Sequence, residues 1–364
     1  LDFDGNNKKK AFLILSSKFY EHIDEAFVLA DTAGYEVVGF KKFKGGKRIT
    51  DNLIDIIKDN KNDLEFDTVI YYGDIEPSSV FKLEKETKIR MLDRVQLILE
   101  IFAQHAGSKE AMLQIEMARI KHDLPIIREY IRRTKLGELA GFLGPGKYGI
   151  DTYKKQLTSR LAKIKGELER LRKTEQERLL RRKELGMISI PIVGYASAGK
   201  TSLFNLITGE SKPVGPEYFT TLFPKHKMIK YDGLELAFAD TVGFIRDVPP
   251  EVIEAFYSTL EEVTISDIIV FVVDITESEK DMKEKILAGT DILKKLNAIN
   301  KPIVFALNKI DEVKSDKISS KANAIKETFP FINKIIPISA KKNIGIDNLL
   351  KEIISISRNI KVYV

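Results

Sequence analysis

The sequence contains no cysteine, which excludes disulfides, thiolate metal sites and cysteine nucleophiles and fits a cytoplasmic protein. It also lacks any run approaching about twenty apolar residues, so no segment reads as a membrane span. The short stretch from Ala11 to Leu15 has neither the length nor the cleavage site of a signal peptide. No initiating methionine is present, and residues 1–8 read as an expression leader. The first strand-like segment is followed by no G-x-G-x-x-G loop, so a dinucleotide site there has little support.

What is present is a chain of 364 residues, 43% hydrophobic and 31% charged, which is globular in composition and long enough for two or three domains. A net charge of +6 and a pI near 9.0 point to a polyanionic partner. Residues 9–80 show three short apolar runs, Ala11 to Leu15, Tyr35 to Phe40 and Asp67 to Tyr72, separated by helical patterns. They read as a small, largely parallel α/β domain with a docking or scaffold role. Residues 81–185 read as a long antiparallel helical hairpin. Leu113, Met117, Ile120, Leu124, Ile127 and Ile131 step by alternating fours and threes, and so do Leu157, Leu161, Ile164, Leu168 and Leu171, the spacing of a coiled-coil seam. Pro125 should kink the first arm or start a new helix. A glycine-rich loop at 137–150, with Gly137, Gly141, Gly144, Gly146 and Gly149, is expected at the tip. The second arm has twelve bases, Lys154, Lys155, Arg160 and Lys163 among them, against six acids, which marks it as the polyanion candidate.

Residues 186–359 form the chemical region, followed by a short tail at 360–364. A buried strand ending at Val193 runs into Gly194, Tyr195, Ala196, Ser197, Ala198, Gly199, Lys200, Thr201 and Ser202, and then into a helical run. Strand, G-x-x-x-x-G-K-T loop and helix together make a phosphate cradle of backbone N–H groups at a helix N-terminus. Lys200 is expected on the β and γ phosphates and the Thr201 hydroxyl on Mg²⁺. A second strand ends in Asp240, placed to hold Mg²⁺ through water, and Gly243 follows with an N–H for the γ-phosphate. Further strands lead into Asn308, Lys309 and Asp311 and into Ser339, Ala340 and Lys341. The Asp311 carboxylate suits guanine N1–H and its 2-amino group, and a backbone N–H near Ala340 suits O6; adenine offers no such match. Thr221, preferred over Thr220, is the candidate that completes the Mg²⁺ shell when GTP is bound. The reading is an α/β P-loop fold that binds GTP and GDP.

The chain resembles the HflX-type GTPases of the Obg–HflX group, and over most of its length. The resemblance is carried by the segment from Asp93 to His105, by Gly144 to Gly146 at the tip, by Gly194 to Asn205, by Asp240 to Pro249 and by Phe256 to Glu262. The switch-like run from Phe219 to Pro224 is similar too, with Thr221 in the metal-binding place. The resemblance implies binding to the large ribosomal subunit, with a splitting or rescue role in some members, and the basic hairpin is the expected contact to its RNA. A ribosome-assembly GTPase and a nucleotide-gated RNA-binding module with negligible turnover are the alternative readings. A monomer is expected. Lys200, Thr221, Gly243 and Phe244 form the expected catalytic group. Phe244 stands where many related GTPases carry a water-orienting glutamine, so slow intrinsic hydrolysis, stimulated by the ribosome, is expected.

Overall fold

The computed structural model describes residues 8–136, 146–184, 186–210, 225–249, 252–253, 257–332 and 334–362. Packing divides the chain into two units. One comprises Leu1–Gln104, Met112–Glu169 and Pro249–Ala255, and the other His105–Ala111, Arg170–Val248 and Phe256–Val364.

The first unit is built on β1 (Lys9–Ser16), β2 (Tyr35–Phe43), β3 (Thr68–Tyr72) and β4 (Arg90–Asp93), all parallel, in the order β2-β1-β3-β4. Helices α1 (Ile23–Thr32), α2 (Asp51–Asp63), α3 (Pro77–Thr87) and α4 (Arg94–His105) alternate with the strands. β1 and β3 are apolar runs buried along most or all of their length, as strands covered on both faces must be. Phe12, Ile14, Val69, Tyr71 and Met91 share one core cluster with Leu53, Ile54 and Ile57 of α2 and Val80 and Leu83 of α3. The sheet therefore extends to Asp93, past the boundary expected at residue 80. With four residues, β4 is too short to break the helical periodicity around it.

The hairpin arms are α5 (Lys109–Lys135) and α6 (Gly146–Glu184). Helix α6 begins at Gly146, so the last five residues assigned to the tip loop, Gly149 included, are helical; residues 137–145 lie outside the described residues. Pro125 sits inside α5, which is one helix across it. Contacts on both sides hold that geometry: His122 Nε2 lies 2.6 Å from Asp93, Gln96 donates to Asp123 at 3.0 Å, and the Tyr130 ring meets Phe81 edge-on at 5.0 Å. In its first half, Ala111, Leu113, Gln114, Ile115, Met117, Ala118 and Ile120 are all buried, more than one seam requires. Helix α5 is thus a layer of the α/β domain as well as a hairpin arm. Ile164 and Leu168 of α6 are buried, and Arg160 makes a two-pronged pair with Glu116 of α5 at 2.7 Å.

The second unit carries a six-stranded sheet in the order β10-β9-β8-β5-β7-β6. The strands are β5 (Ile188–Gly194), β6 (Lys225–Tyr231), β7 (Leu234–Asp240), β8 (Ile269–Asp274), β9 (Ile303–Asn308) and β10 (Ile335–Pro337). Among the described strands of this sheet, only the pairing of β6 with β7 is antiparallel. The sequence gives little sign of β6, because an edge strand rich in lysine has no apolar run; charged edges also resist pairing with other chains. Helices α7 (Lys200–Thr208), α8 (Tyr257–Ile265), α9 (Glu279–Lys295), α10 (Ser315–Thr328) and α11 (Ile346–Val362) accompany the sheet. Helix α11 runs through Val362, so most of the expected tail is helix. The core joins Ile190, Ile192, Phe238, Val270, Val304 and Ala306 to Leu203, Leu349 and Ile353. Parallel strands place their C-terminal ends on one rim, and β5, β7, β9 and β10 there lead into the four loops singled out above.

Candidate nucleotide site

The loop from Gly194 to Thr201 links β5 to α7 with the geometry a phosphate cradle needs. Gly194 pairs with Val272 of β8 and has φ +145°; a Cβ there would lie 2.3 Å from the Val272 carbonyl oxygen. The other loop residues follow: Ser197 takes a left-handed φ of 60°, Ala196 and Ala198 are buried, and Gly199 accepts from Leu203 N–H at the start of α7. Ser202 lies in the first turn of that helix. Lys200 is 6% exposed and donates to the Tyr195 carbonyl at 2.7 Å. Burial lowers its pKa to about 8, against the opposing pull of Asp240.

Asp240, at the end of β7, is fully buried and accepts from the Thr201 hydroxyl at 3.1 Å. The next residue, Thr241, is tied to β5 by its hydroxyl, which donates to the Ile192 carbonyl at 2.7 Å. A hydroxyl and a carboxylate brought together suit Mg²⁺, which binds through few protein oxygens and takes the rest of its shell from phosphates and water. Among the described residues no group of three or more histidines, aspartates and glutamates could hold a metal without such help. Thr221 lies outside the described residues.

The base loops are joined by Asn308. Its Nδ2 donates to the Ala198 carbonyl at 2.9 Å, and its Oδ1 accepts from Ala340 N–H at 3.0 Å. One side chain therefore fastens the phosphate loop to the loop of Ser339, Ala340 and Lys341. The Ala340 amide is thereby engaged within the protein. Lys309, at φ 69°, donates to Asp274 at 2.5 Å. Asp274 also accepts from Thr276, a role with no sequence signature. Ser339 is buried; its Oγ accepts from Lys342 N–H at 3.0 Å, and its backbone pairs with Ile344. Oδ1 of Asp311 is buried with no hydrogen-bond partner among the described residues. A buried carboxylate oxygen left so is costly unless a ligand supplies a donor.

Phe244 follows Gly243 directly. The residue is 3% exposed, its ring packs 6.4 Å from that of Phe271, and its backbone pairs with the phosphate loop. The side chain is part of the buried core.

Three family models match in succession: "GTP-binding GTPase N-terminal" at residues 20–103, "GTP-binding GTPase Middle Region" at 105–182, and "50S ribosome-binding GTPase" at 189–309. The GTPase HflX of Hyperthermus butylicus is 46% identical over 338 residues, 90% of each chain, and that of Saccharolobus solfataricus is 38% identical over 95% of this chain and 98% of its own. The chain belongs to the HflX family of GTPases. It is accordingly an enzyme that binds GTP and hydrolyses it. Among solved structures, SsGBP in complex with GDP is 33% identical, with a TM-score of 0.56 over 97% of this chain and 99% of that one. A GTP-binding protein of Sulfolobus solfataricus with GDP is 32% identical, with a TM-score of 0.50 over 97% and 99%. No helix among the described residues is long and apolar enough to cross a membrane.

Proposed function

We propose that this HflX-family GTPase is a nucleotide-controlled switch that engages the large ribosomal subunit through the basic face of α6. The observation that carries the reading is the row of exposed Lys155, Lys163, Lys165, Arg170 and Lys173 on that helix. The family description of a 50S ribosome-binding GTPase supports it. Arg160 is left out of the proposed contact, because Glu116 already holds its guanidinium.

In the site, Lys200 and the amides of the loop from Gly194 to Ser202 hold the phosphates. Thr201 and Asp240 hold Mg²⁺, Asp240 through water, and Thr221 joins them in the GTP state. Mg²⁺, when bound, neutralises charge on the phosphates. Gly243 N–H meets the γ-phosphate, and the Asp311 carboxylate accepts from the guanine N1–H and amine. Lys309 lines the base pocket, held by Asp274. With the Ala340 amide engaged by Asn308, the donor to O6 is the next amide, that of Lys341. No glutamine follows Gly243, so intrinsic turnover is slow and the ribosome stimulates it.

The test is co-sedimentation with purified large subunits, with a GTP analogue and with GDP, across a salt series. Binding should favour the analogue and weaken steeply with salt, since neutralised phosphates release counterions. Replacing Lys155, Lys163, Lys165 and Arg170 with glutamine should flatten that dependence and leave GDP affinity intact. Salt-insensitive binding, or full binding by the variant, overturns the role of α6.

A further inference from the structure

Tyr195 belongs to the phosphate loop and Arg246 lies beside it, and neither side chain has a role in the reading above. The Tyr195 hydroxyl accepts from Arg246 N–H at 2.8 Å, while its carbonyl accepts from Lys200 Nζ at 2.7 Å. Its ring, on a residue 4% exposed, lies 4.6 Å from Lys285 Nζ, and Lys285 in turn pairs with Glu277. Between Tyr195 and Arg246, Ala196 N–H donates to the Phe244 carbonyl at 2.8 Å and Phe244 N–H to the Gly194 carbonyl at 3.0 Å.

The guanidinium of Arg246, whose side chain is 11% exposed, is clamped by Asp281 at 3.0 Å and by Glu284, both from the first turns of α9. Asp281 is fixed as well by Ser278, the N-cap of that helix, whose hydroxyl donates to it at 2.6 Å. Two carboxylates three residues apart on one helix repel each other, and the planar guanidinium satisfies both at once. The segment from Gly243 to Arg246 is therefore anchored three ways: by the buried Phe244 ring, by the backbone pairing and by this clamp. Gly243 is pressed so close to the loop that a Cβ on it would lie 2.9 Å from Ala196 Cα and 3.1 Å from Lys200 Nζ.

We propose that Tyr195 and Arg246 are positioning residues for GTP hydrolysis, forming a latch between the phosphate loop and α9 that sets the Gly243 amide relative to Lys200. Neither side chain touches the nucleotide. Both act through the backbone that carries Gly243 and, for Tyr195, through the carbonyl that orients Lys200. The inference rests on the assignment of Gly243 to the γ-phosphate made above.

The experiment compares single-turnover hydrolysis and the affinity for a non-hydrolysable GTP analogue in Tyr195→Phe, Arg246→Ala, Arg246→Lys and Gly243→Ala, each in the full chain. Tyr195→Phe keeps the ring and the carbonyl and removes the acceptor for Arg246 N–H. Tyr195→Phe and Arg246→Ala should each slow hydrolysis about tenfold with analogue affinity within about twofold, because misplacement costs the transition state more than the ground state. Arg246→Lys should recover part of the rate. Adding Glu284→Gln and Asp281→Asn to Arg246→Ala should cost little more, as residues acting as one unit are non-additive. Parallel loss of affinity and rate, or unchanged rates, overturns the latch. A faster rate overturns it too, since the contacts would then restrain the segment. Gly243→Ala separates the two readings. If it alone abolishes turnover, the latch fails and the site assignment stands; if it changes nothing, the site assignment fails.

Discussion

Both units rest on parallel sheets with buried central strands, but they treat the polar groups at the strand ends in opposite ways. In the first unit the charged groups pair with one another. The Tyr72 hydroxyl donates to Glu25 at 2.9 Å, and Arg94 lies 3.6 Å from the same carboxylate oxygen and stacks on Phe19 and Tyr72. Asp93 accepts from Gln96 N–H and meets His122. In the second unit the protein provides groups that it does not fully satisfy. Buried Lys200 has a neutral carbonyl as its hydrogen-bond acceptor, and Asp311 keeps a buried oxygen with no hydrogen-bond partner among the described residues. The parallel sheet by itself therefore does not make a ligand site. Buried polar groups held for an outside partner do, and closed pairs give stability instead.

The largest effect that would break this comparison is expected for Lys200→Met, which keeps the stem and removes the ammonium. GTP turnover should fall on the order of 10³-fold, while the nucleotide-free protein should melt no lower than the parent. A lower melting temperature would mean that Lys200 is structural, like the charges of the first unit. Asp311→Asn comes next. Guanine-nucleotide affinity should drop roughly 10²-fold, and xanthine nucleotides should gain, because the amide can donate to the xanthine carbonyl. Unchanged GDP affinity would remove Asp311 from the base site.

In the first unit the prediction reverses. Arg94→Met leaves Glu25 buried and unneutralised, which should destabilise the protein by about 3 kcal/mol in denaturant unfolding, with GTP affinity unchanged. A parallel loss of nucleotide affinity would show that the closed cluster serves the site after all. The smallest expected effect is in pH. The folded Lys200 releases its proton near pH 8 and the unfolded one near its ordinary value of 10.5, so between them the unfolded state holds more protons and stability rises with pH. By pH 9 the nucleotide-free protein should gain on the order of 1 kcal/mol from this group. The gain should be absent from Lys200→Met in parallel thermal melts from pH 7 to 9. Identical profiles for the two proteins would count against a buried ammonium without a charged hydrogen-bond partner.

Legibility followed distance along the chain. The phosphate loop, Asp240 and the two base loops were readable because each packs its chemistry into a few consecutive residues after an apolar strand, and contiguous backbone geometry is a local matter. The hairpin was half readable. Helical periodicity in α5 reported that faces are buried, and could not report that Asp93, Gln96 and Phe81 of the α/β domain share the burying with α6. β4 and β6 were missed for a related reason: four residues are too few for a period, and the edge strand's lysines leave no apolar run.

What the sequence determined on its own was which chemical groups are present and in what order: an ammonium at Lys200, a hydroxyl and a carboxylate at Thr201 and Asp240, a carboxylate at Asp311, and a helix rich in bases. Tertiary structure alone decided which groups are engaged. Asn308 clips the Ala340 amide to the phosphate loop, Glu116 holds Arg160, the Phe244 ring lies in the core, and Arg246 reaches carboxylates 35 and 38 residues away. The physical reason is that a hydrogen bond needs donor and acceptor within about 3 Å. Between residues far apart in the chain, only the packing of strands and helices sets that distance.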